Sequence, residues 1–283
     1  MTGIYKTPEG QRLVEEQYRK ILTWWPVANR QFHVPTRQGQ TFVIACGEDS
    51  APPVVLLHGG LANSGAWMGD IALWAQRFRV FAVDVIGEPG LSAPSRPPLH
   101  SDAYALWLDD VMSALGLSRA SFVGVSLGGW LALDYATRRP ARVDRMALIC
   151  PGGVGRQKIG ILFKIAFFNL CGSWGKRKLR EAILGQKTPT DVPPTMRKFG
   201  ELFALIHQHT RPRTKRLPVF SDAALKALTM PVLAIVGAKD ALLDSADTRY
   251  RILSLLENGK VLYIEDAGHF IPGQGTAIGE FLR

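Results

Sequence analysis

The sequence predicts an α/β fold in which a mostly parallel central sheet is flanked by helices. Apolar runs rich in β-branched residues alternate with stretches of helical spacing from about residue 50 to 150, and apolar runs return after residue 230. These runs lack polar alternation, which indicates strands that are buried on both faces, as in parallel sheets. The alternation of strands and helices therefore predicts a sheet that is covered by helices on its faces.

The elements are predicted in the following order. Thr7 and Pro8 have the residue types of an N-cap and a first helical residue, and apolar residues recur at helical spacing from there to Pro26. Two short strands around Arg37 to Gly39 form a hairpin. Further strands are predicted in PPVVLLH, RVFAVDV, ASFVGV, VDRMALIC, MPVLAIVG and KVLYIED, with helices at 66–77, 101–116 and 127–139. The tail, IPGQGTAIGEFLR, is Gly-rich, and its sequence does not decide whether a last helix forms there.

A basic segment interrupts the alternation of predicted strands and helices. Residues 151–220 hold 14 Lys and Arg against 3 Asp and Glu, so they carry the whole excess of the formal net charge of +10. No strand is evident there, which predicts a helical cap inserted over the carboxyl edge of the sheet, where ligands bind in open α/β folds. Residues 1–150, with the leading helix, and residues 221–283 are predicted to form the two parts of the core.

The composition indicates the class of protein to which the chain belongs. With 47% hydrophobic and 20% charged residues, the chain has the composition of a soluble globular protein. The first twenty residues are polar where a secretory signal needs an apolar stretch, and no uncharged run reaches the roughly 18 residues of a membrane span. Cys46, Cys150 and Cys171 share no metal or redox spacing and are expected to be packing residues in a reducing compartment. We therefore expect a cytoplasmic protein.

The stretch GVSLGGW, residues 124–130, places a serine where a predicted strand ends and a helix begins. Such a turn strains the backbone of Ser126, and the flanking Gly124 and Gly128 leave space that larger residues would obstruct. This context predicts a nucleophile elbow. The alternative is a Ser and Gly that only loosen the start of a helix.

A serine nucleophile needs a base, and the base needs an acceptor that fixes its tautomer. His269 lies in the loop after the last predicted strand, and it is the one histidine downstream of Ser126 that follows a strand end. Asp240 follows the strand in MPVLAIVG and is the predicted acid, with Asp244 as the alternative. Asp266 is only three residues from His269 and is interpreted as a structural partner of the loop.

The tetrahedral intermediate of such a reaction needs N–H donors for its developing negative charge. The first long strand ends in His58, Gly59 and Gly60, where the backbone has room to turn inward. The backbone N–H groups of Gly60 and Leu127 are the predicted oxyanion hole. His58 is interpreted as a residue that braces the loop.

Ser126, Asp240 and His269 in this chain order, together with the HGG turn, resemble the α/β-hydrolase superfamily over about residues 30–150 and 228–283. The segment VDVIGEPGLSAPSR resembles the superfamily's Asp-x-x-Gly-x-Gly-x-Ser motif, although Glu88 and Pro89 depart from its usual spacing. With WWPV near the start and DAYALWLDDV at 102–111, the chain is similar to a bacterial carboxylesterase-type subgroup. The resemblance implies the α/β-hydrolase fold with a helical cap.

The resemblance implies a carboxylic ester hydrolase that forms an acyl-enzyme intermediate on Ser126. C–C bond hydrolases, lactonases, thioesterases and cofactor-free haloperoxidases share the same residues and remain alternatives. A noncatalytic small-molecule receptor is a hypothesis of another class. No metal or organic cofactor is predicted, because Cys, His and carboxylate residues are not clustered at ligand spacing.

The cap segment gives a clue to the substrate. Its stretch KIGILFKIAFFNLCGSW is apolar and GKRKLREAILGQK after it is basic, which favours a small-molecule ester with an apolar acyl or aromatic part. The basic stretch is interpreted as a solvated lid, with steering of anionic substrates or peripheral contact with acidic lipid headgroups as alternatives. No nucleic-acid recognition motif accompanies the charge, so nucleic acid is not an expected partner.

Overall fold

The computed structural model describes residues 3–158 and 194–283. Its centre is an eight-stranded sheet with the order β1-β2-β4-β3-β5-β6-β7-β8. The strands are β1 (Asn29–Thr36), β2 (Gly39–Cys46), β3 (Pro53–Leu57), β4 (Arg79–Val83), β5 (Ala120–Val125), β6 (Val143–Ile149), β7 (Val232–Gly237) and β8 (Gly259–Ile264). The described helices are α1 (Pro8–Leu22), α2 (Ile71–Trp74), α3 (Ala103–Ala114), α4 (Leu127–Arg138), α5 (Pro194–His209), α6 (Asp222–Lys226), α7 (Ser245–Leu255) and α8 (Gly275–Phe281).

The sheet is parallel except at one edge. β1 and β2 form an antiparallel hairpin, and β2 pairs antiparallel with β4. All other neighbouring strands run parallel. The prediction of a mostly parallel sheet flanked by helices is confirmed. Because β3 and β5 to β8 are parallel, the loops that follow them meet at the same edge of the sheet.

The leading helix begins where the sequence predicts. The Thr7 side chain accepts a hydrogen bond from the Gly10 N–H at 3.0 Å, and Pro8 is the first residue of α1. A missing N–H at this position costs nothing, because the first turn of a helix has no intrahelical acceptors for its N–H groups. Val14, Tyr18 and Ile21 form the buried face of α1.

One helix prediction is wrong, and the structure shows the last helix that the sequence left undecided. A helix at 66–77 is wrong: the chain forms a 3-10 turn, Ser64–Trp67, and the single turn of α2, with Gly69 between them. The buried Trp67 and Trp74, whose rings lie 5.9 Å apart, determine this path, since packing overrides local propensity. The Gly-rich tail does form a helix, α8, and the indole N–H of Trp74 donates to the Gly275 carbonyl at 2.8 Å.

Only parts of the predicted cap are described. Residues 159–193, which include most of the apolar stretch and Cys171, lie outside the described residues, so the cap boundaries stay a prediction. α5 packs against α1, and main-chain hydrogen bonds join the two segments: the Lys6 N–H donates to His209 at 2.8 Å and the Arg211 N–H donates to Ile4 at 2.7 Å. The N-terminal segment therefore holds the end of the predicted cap.

Apolar side chains from the helices cover both faces of the sheet. Trp67, Trp107 and Trp130 are all buried. Among the described helices, none is long and apolar enough to cross a membrane.

A buried carboxylate, Asp84, joins α1 to the loops around β4. One of its oxygens accepts hydrogen bonds from the Tyr18 hydroxyl and the Ser64 N–H, both at 2.9 Å, and the other accepts from the Leu91 N–H at 2.8 Å. Burial, and then the charge of Asp84, raise the pKa of Tyr18 well above its ordinary value, so the hydroxyl keeps its proton. Asp84 is thus paired on both oxygens, and two of its partners, Tyr18 and Ser64, are 66 and 20 residues away in sequence.

We expect Tyr18→Phe to lower the free energy of unfolding by about 2 kcal/mol, because the substitution removes a buried hydrogen bond to a charged acceptor. The measurement is urea unfolding at neutral pH, and Tyr250→Phe is the matched control because Tyr250 is 69% exposed. The control should change stability by less than about 0.5 kcal/mol. Equal effects of the two substitutions would contradict the role given to Tyr18.

Candidate active site

Ser126 occupies a left-handed backbone conformation between β5 and α4, with φ 51° and ψ −104°. The neighbouring glycines have no space for a side chain. A Cβ on Gly124 would lie 2.6 Å from the Gly128 carbonyl oxygen, and one on Gly128 would lie 1.9 Å from the Leu57 carbonyl oxygen. The turn at Ser126 therefore requires glycine at both positions.

The main chain of Ser126 is fixed on both sides. Its N–H donates to the Ile149 carbonyl of β6 at 2.9 Å. Its carbonyl accepts from the Trp130 N–H at 3.0 Å, within α4, and from the Gly152 N–H at 3.1 Å. These bonds join the turn to the neighbouring strand end and offset the cost of a non-glycine residue with positive φ.

His269 and Asp240 form a hydrogen-bonded pair. His269 Nδ1 lies 2.8 Å from Asp240 Oδ2, and the side chains are 15% and 1% exposed. The other carboxylate oxygen of Asp240 accepts from the N–H groups of Leu242 at 2.7 Å and Leu243 at 3.0 Å. An ionised Asp240 accepts only, so this contact places the proton of a neutral His269 on Nδ1.

The surroundings of Asp240 stabilise its charge. Burial alone raises the pKa of Asp240, but the hydrogen bond and charge of His269, with the two main-chain donors, outweigh it and lower the pKa below its ordinary value. Asp240 is therefore a carboxylate at neutral pH and can stabilise an imidazolium at His269.

Cys150, at the end of β6, lies beside this pair. It has a left-handed backbone, φ 42°, and its Sγ, a carboxylate oxygen of Asp240 and a ring nitrogen of His269 all lie within 4.8 Å of one another. These are the side chains of the described chain that could offer three ligands to a metal. Burial, and then the charge of Asp240, raise the pKa of the Cys150 thiol far above its ordinary value, so the thiol keeps its proton at neutral pH.

Ser126 follows β5, and Asp240 follows β7, two strands away across β6. Within residues 3–158 and 194–283, the structure joins His269 to Asp240 but shows no hydrogen bond between the Ser126 hydroxyl and His269. Contacts of this kind often tighten only when substrate is bound. The roles of the three residues as a triad therefore stay a prediction.

The loop of residues 58–61, the predicted oxyanion loop, lies against the turn at Ser126. A Cβ on Gly59 would lie 3.7 Å from Ser126 Cβ, and one on Gly60 would lie 3.9 Å from Leu127 Cδ2. In the part of the chain that the structure describes, the N–H groups of Gly60 and Leu127 make no hydrogen bond. Both amides are therefore available to an oxygen atom bound beside Ser126.

His58 braces this loop. Its Nε2 accepts from the Val85 N–H at 2.9 Å, which leaves the proton on Nδ1, and Nδ1 lies 2.8 Å from the Gly59 carbonyl oxygen. The side chain is buried and both ring nitrogens are used. His58 is thus committed to structure, as the sequence indicates.

Sequence reasoning missed a buried charged cluster beside the oxyanion loop. Glu88, 1% exposed, accepts from the Leu61 N–H at 2.8 Å and from Arg213 Nε at 2.6 Å. Arg213 also donates to the Tyr104 hydroxyl at 2.6 Å. The departure of Glu88 from the expected glycine motif was the only sequence signal, and nothing in the basic cap segment distinguished Arg213.

Comparison with known proteins identifies the fold family of the chain. Residues 52–176 match the family model for the alpha/beta hydrolase fold. Carboxylesterase YbfK of Bacillus subtilis is 32% identical over 90% of this chain and 87% of its own length, and its crystal structure superposes with a TM-score of 0.82 over 96% of each chain. The crystal structure of naproxen esterase from Bacillus subtilis is 30% identical, with a TM-score of 0.82 over 97% of each chain.

Each of these matches covers at least 90% of this chain. At about 30% identity, the fold of these relatives is the same as that of this chain. The chain belongs to the α/β-hydrolase family and, within it, to the carboxylesterase-like group.

Proposed function

We propose that the protein is a serine hydrolase that cleaves carboxylic esters through an acyl-enzyme intermediate. Ser126 is the nucleophile, His269 the general base and acid, and Asp240 the residue that orients His269. The observation that carries the proposal is the 2.8 Å contact of a buried carboxylate with His269, at the same sheet edge as the strained turn of Ser126. Membership of the carboxylesterase-like group supports the same reaction.

In the first half of the reaction, the Ser126 hydroxyl attacks the ester carbonyl carbon. Asp240 holds Nδ1 of His269, so Nε2 is the nitrogen that accepts the hydroxyl proton. The carbonyl oxygen becomes an oxyanion, and the N–H groups of Gly60 and Leu127 stabilise it. Leu127 is the first residue of α4, whose N-terminal dipole favours the same negative charge.

The tetrahedral intermediate collapses when the C–O bond to the alcohol breaks. His269 gives its proton to the leaving alcohol, and the acyl group stays on Ser126. Water then attacks the acyl carbon, with its proton taken by His269, and the carboxylic acid leaves as Ser126 regains its proton. Asp240 stays ionised throughout because its lowered pKa keeps it from taking the proton.

The predicted cap at 151–220 supplies the substrate pocket in this proposal. The apolar composition of its stretch KIGILFKIAFFNLCGSW supports an ester with an apolar acyl or aromatic group. Arg213 and Lys158 of this segment already contact the core at Glu88 and at the Asp240 carbonyl, which supports a cap over the sheet edge. We also propose a cytoplasmic location. Cys46 and Cys150 are free thiols, which supports a reducing compartment.

Ser126→Ala should abolish both ester hydrolysis and labelling by a fluorophosphonate probe. Loss of the nucleophile lowers kcat by about 10⁶-fold in comparable triads. The measurements are hydrolysis of p-nitrophenyl esters of increasing acyl length and the mass of the labelled protein. Labelling of Ser126→Ala at the same site would reject Ser126 as the nucleophile.

Three assays on the wild-type protein distinguish ester hydrolysis from C–C bond hydrolysis and from haloperoxidation. We expect turnover of p-nitrophenyl esters, with no cleavage of a vinylogous diketone and no peroxide-dependent halogenation. Failure on every ester, with turnover in either of the other assays, would reject the proposed reaction. Absence of turnover in all three, with retained binding of an ester analogue, would favour a receptor.

Asp240→Asn should lower kcat by about 10⁴-fold, because an amide N–H facing Nδ1 favours the wrong tautomer of His269. Asp266→Asn is the matched control: Asp266 is 91% exposed, lies three residues from His269 and pairs with Lys239. The control should keep kcat within about twofold, since surface ion pairs contribute little. The assay is kcat for a p-nitrophenyl ester at neutral pH, and equal losses in both variants would contradict the role of Asp240.

A further inference from the structure

We propose that Glu88 is a positioning residue for the oxyanion loop, and that Arg213 supplies the positive charge that keeps this buried carboxylate in place. The inference rests on the proposed function, because it concerns the N–H of Gly60. It adds a residue that the triad and the oxyanion hole do not include.

The two oxygens of Glu88 have different partners. Oε2 accepts the Leu61 N–H at 2.8 Å, and a Cβ on Gly60 would lie 3.9 Å from the same oxygen. Oε1 accepts Arg213 Nε at 2.6 Å. The carboxylate therefore contacts the oxyanion loop with one oxygen and the predicted cap segment with the other.

The contact with Leu61 acts on a strained part of the loop. Leu61 has φ 55°, a left-handed conformation that costs free energy for a residue with a Cβ. A charged acceptor for its N–H offsets this cost. Glu88 binds the Leu61 N–H. Of the two adjacent amides, those of Gly60 and Leu61, only that of Gly60 is therefore without a hydrogen bond within the described residues. Glu88 thus sets which N–H of the loop faces a bound oxyanion.

Burial of Glu88 needs compensation by positive charge. The carboxylate is 1% exposed, and an unpaired carboxylate in such a place is strongly disfavoured. Arg213 is bound directly, and Arg96 Nη2 lies 3.7 Å from Oε1. Arg96 Nη2 is buried and has no hydrogen-bond partner within the described residues, so its remaining interaction is with the charge of Glu88.

A buried ion pair that only stabilised the fold would not require a hydrogen bond between its carboxylate and the Leu61 N–H. The pair of Asp134 and Arg138 on α4 is an example: Asp134 is buried, Arg138 Nε lies 3.0 Å away, and among the described residues no main-chain N–H donates to that carboxylate. This pair provides a matched control, since Asp134→Asn and Glu88→Gln each remove the charge of a buried carboxylate that faces an arginine.

The test compares Glu88→Ala, Glu88→Gln and Asp134→Asn with the wild type. We measure kcat and KM for a p-nitrophenyl ester per active site titrated, the Ki of an aryl trifluoromethyl ketone, and the rate of fluorophosphonate labelling. Loss of one oxyanion donor costs about 10²–10³-fold in kcat, and a misplaced donor should cost part of this, about 10- to 100-fold, in Glu88→Ala. KM should change by less than about threefold, because the donor acts mainly on the oxyanion.

Glu88→Gln should lose less, roughly 3- to 10-fold in kcat, because its amide oxygen can still accept the Leu61 N–H although its NH₂ then faces Arg213. The Ki and the labelling rate should worsen in parallel with kcat. Asp134→Asn should match the wild type in all three measurements.

The inference is overturned if both Glu88 variants keep kcat, Ki and labelling rate within twofold of the wild type, or if Asp134→Asn loses as much as Glu88→Gln. Should Glu88→Ala not fold, Glu88→Gln alone decides. Failure of the wild type to cleave any ester would instead count against the proposed function, and the labelling rates of the same variants would still test Glu88.

Discussion

The left-handed backbone of Ser126 is the constraint on which the site depends. A serine with φ 51° is held there by main-chain hydrogen bonds to β6 and to the loop after it, and by glycines at 124 and 128 whose missing side chains let β5, β3 and α4 meet. The strain is local, but it is offset by packing across several strands. Its consequence is that one hydroxyl lies at the start of a helix, next to the loop that follows β3.

Buried carboxylates organise the loops around that hydroxyl. Asp84, Glu88 and Asp240 each accept at least one main-chain N–H from a loop at the carboxyl edge of the sheet. Each also has a side-chain donor that offsets its burial; these donors are Tyr18, Arg213 and His269. Loops lack the regular partners of helices and strands, and a carboxylate can accept several N–H groups at once. The same arrangement thus provides rigidity at the edge and, at Asp240, a charge for the imidazole.

The sequence predicted the sheet and α1 well because their signals are local: apolar runs for buried strands, and Thr7 with Pro8 for a helix start. The helix at 66–77 was wrong because Trp67 and Trp74 are placed by packing, which no local pattern contains. The residues proposed for catalysis were recognisable from their positions after strand ends. Glu88 and Arg213 are 125 residues apart, and a pairing at that separation leaves no periodic trace in the sequence.

The contacts between the segment after α5 and the rest of the protein also join residues that are far apart in sequence. The segment after α5 is joined to the N-terminal residues by main-chain hydrogen bonds from Lys6 and Arg211, and to the oxyanion loop through Arg213 and Glu88. Because Glu88 accepts the Leu61 N–H, a shift of this segment would change the position of the adjacent Gly60 amide, which is the proposed donor to the oxyanion. In the proposed reaction such a shift would act mainly on kcat, since an oxyanion donor binds more strongly in the transition state than in the ground state. The proposed reaction would thus depend on the contacts of Arg211 and Arg213 as well as on the turn at Ser126.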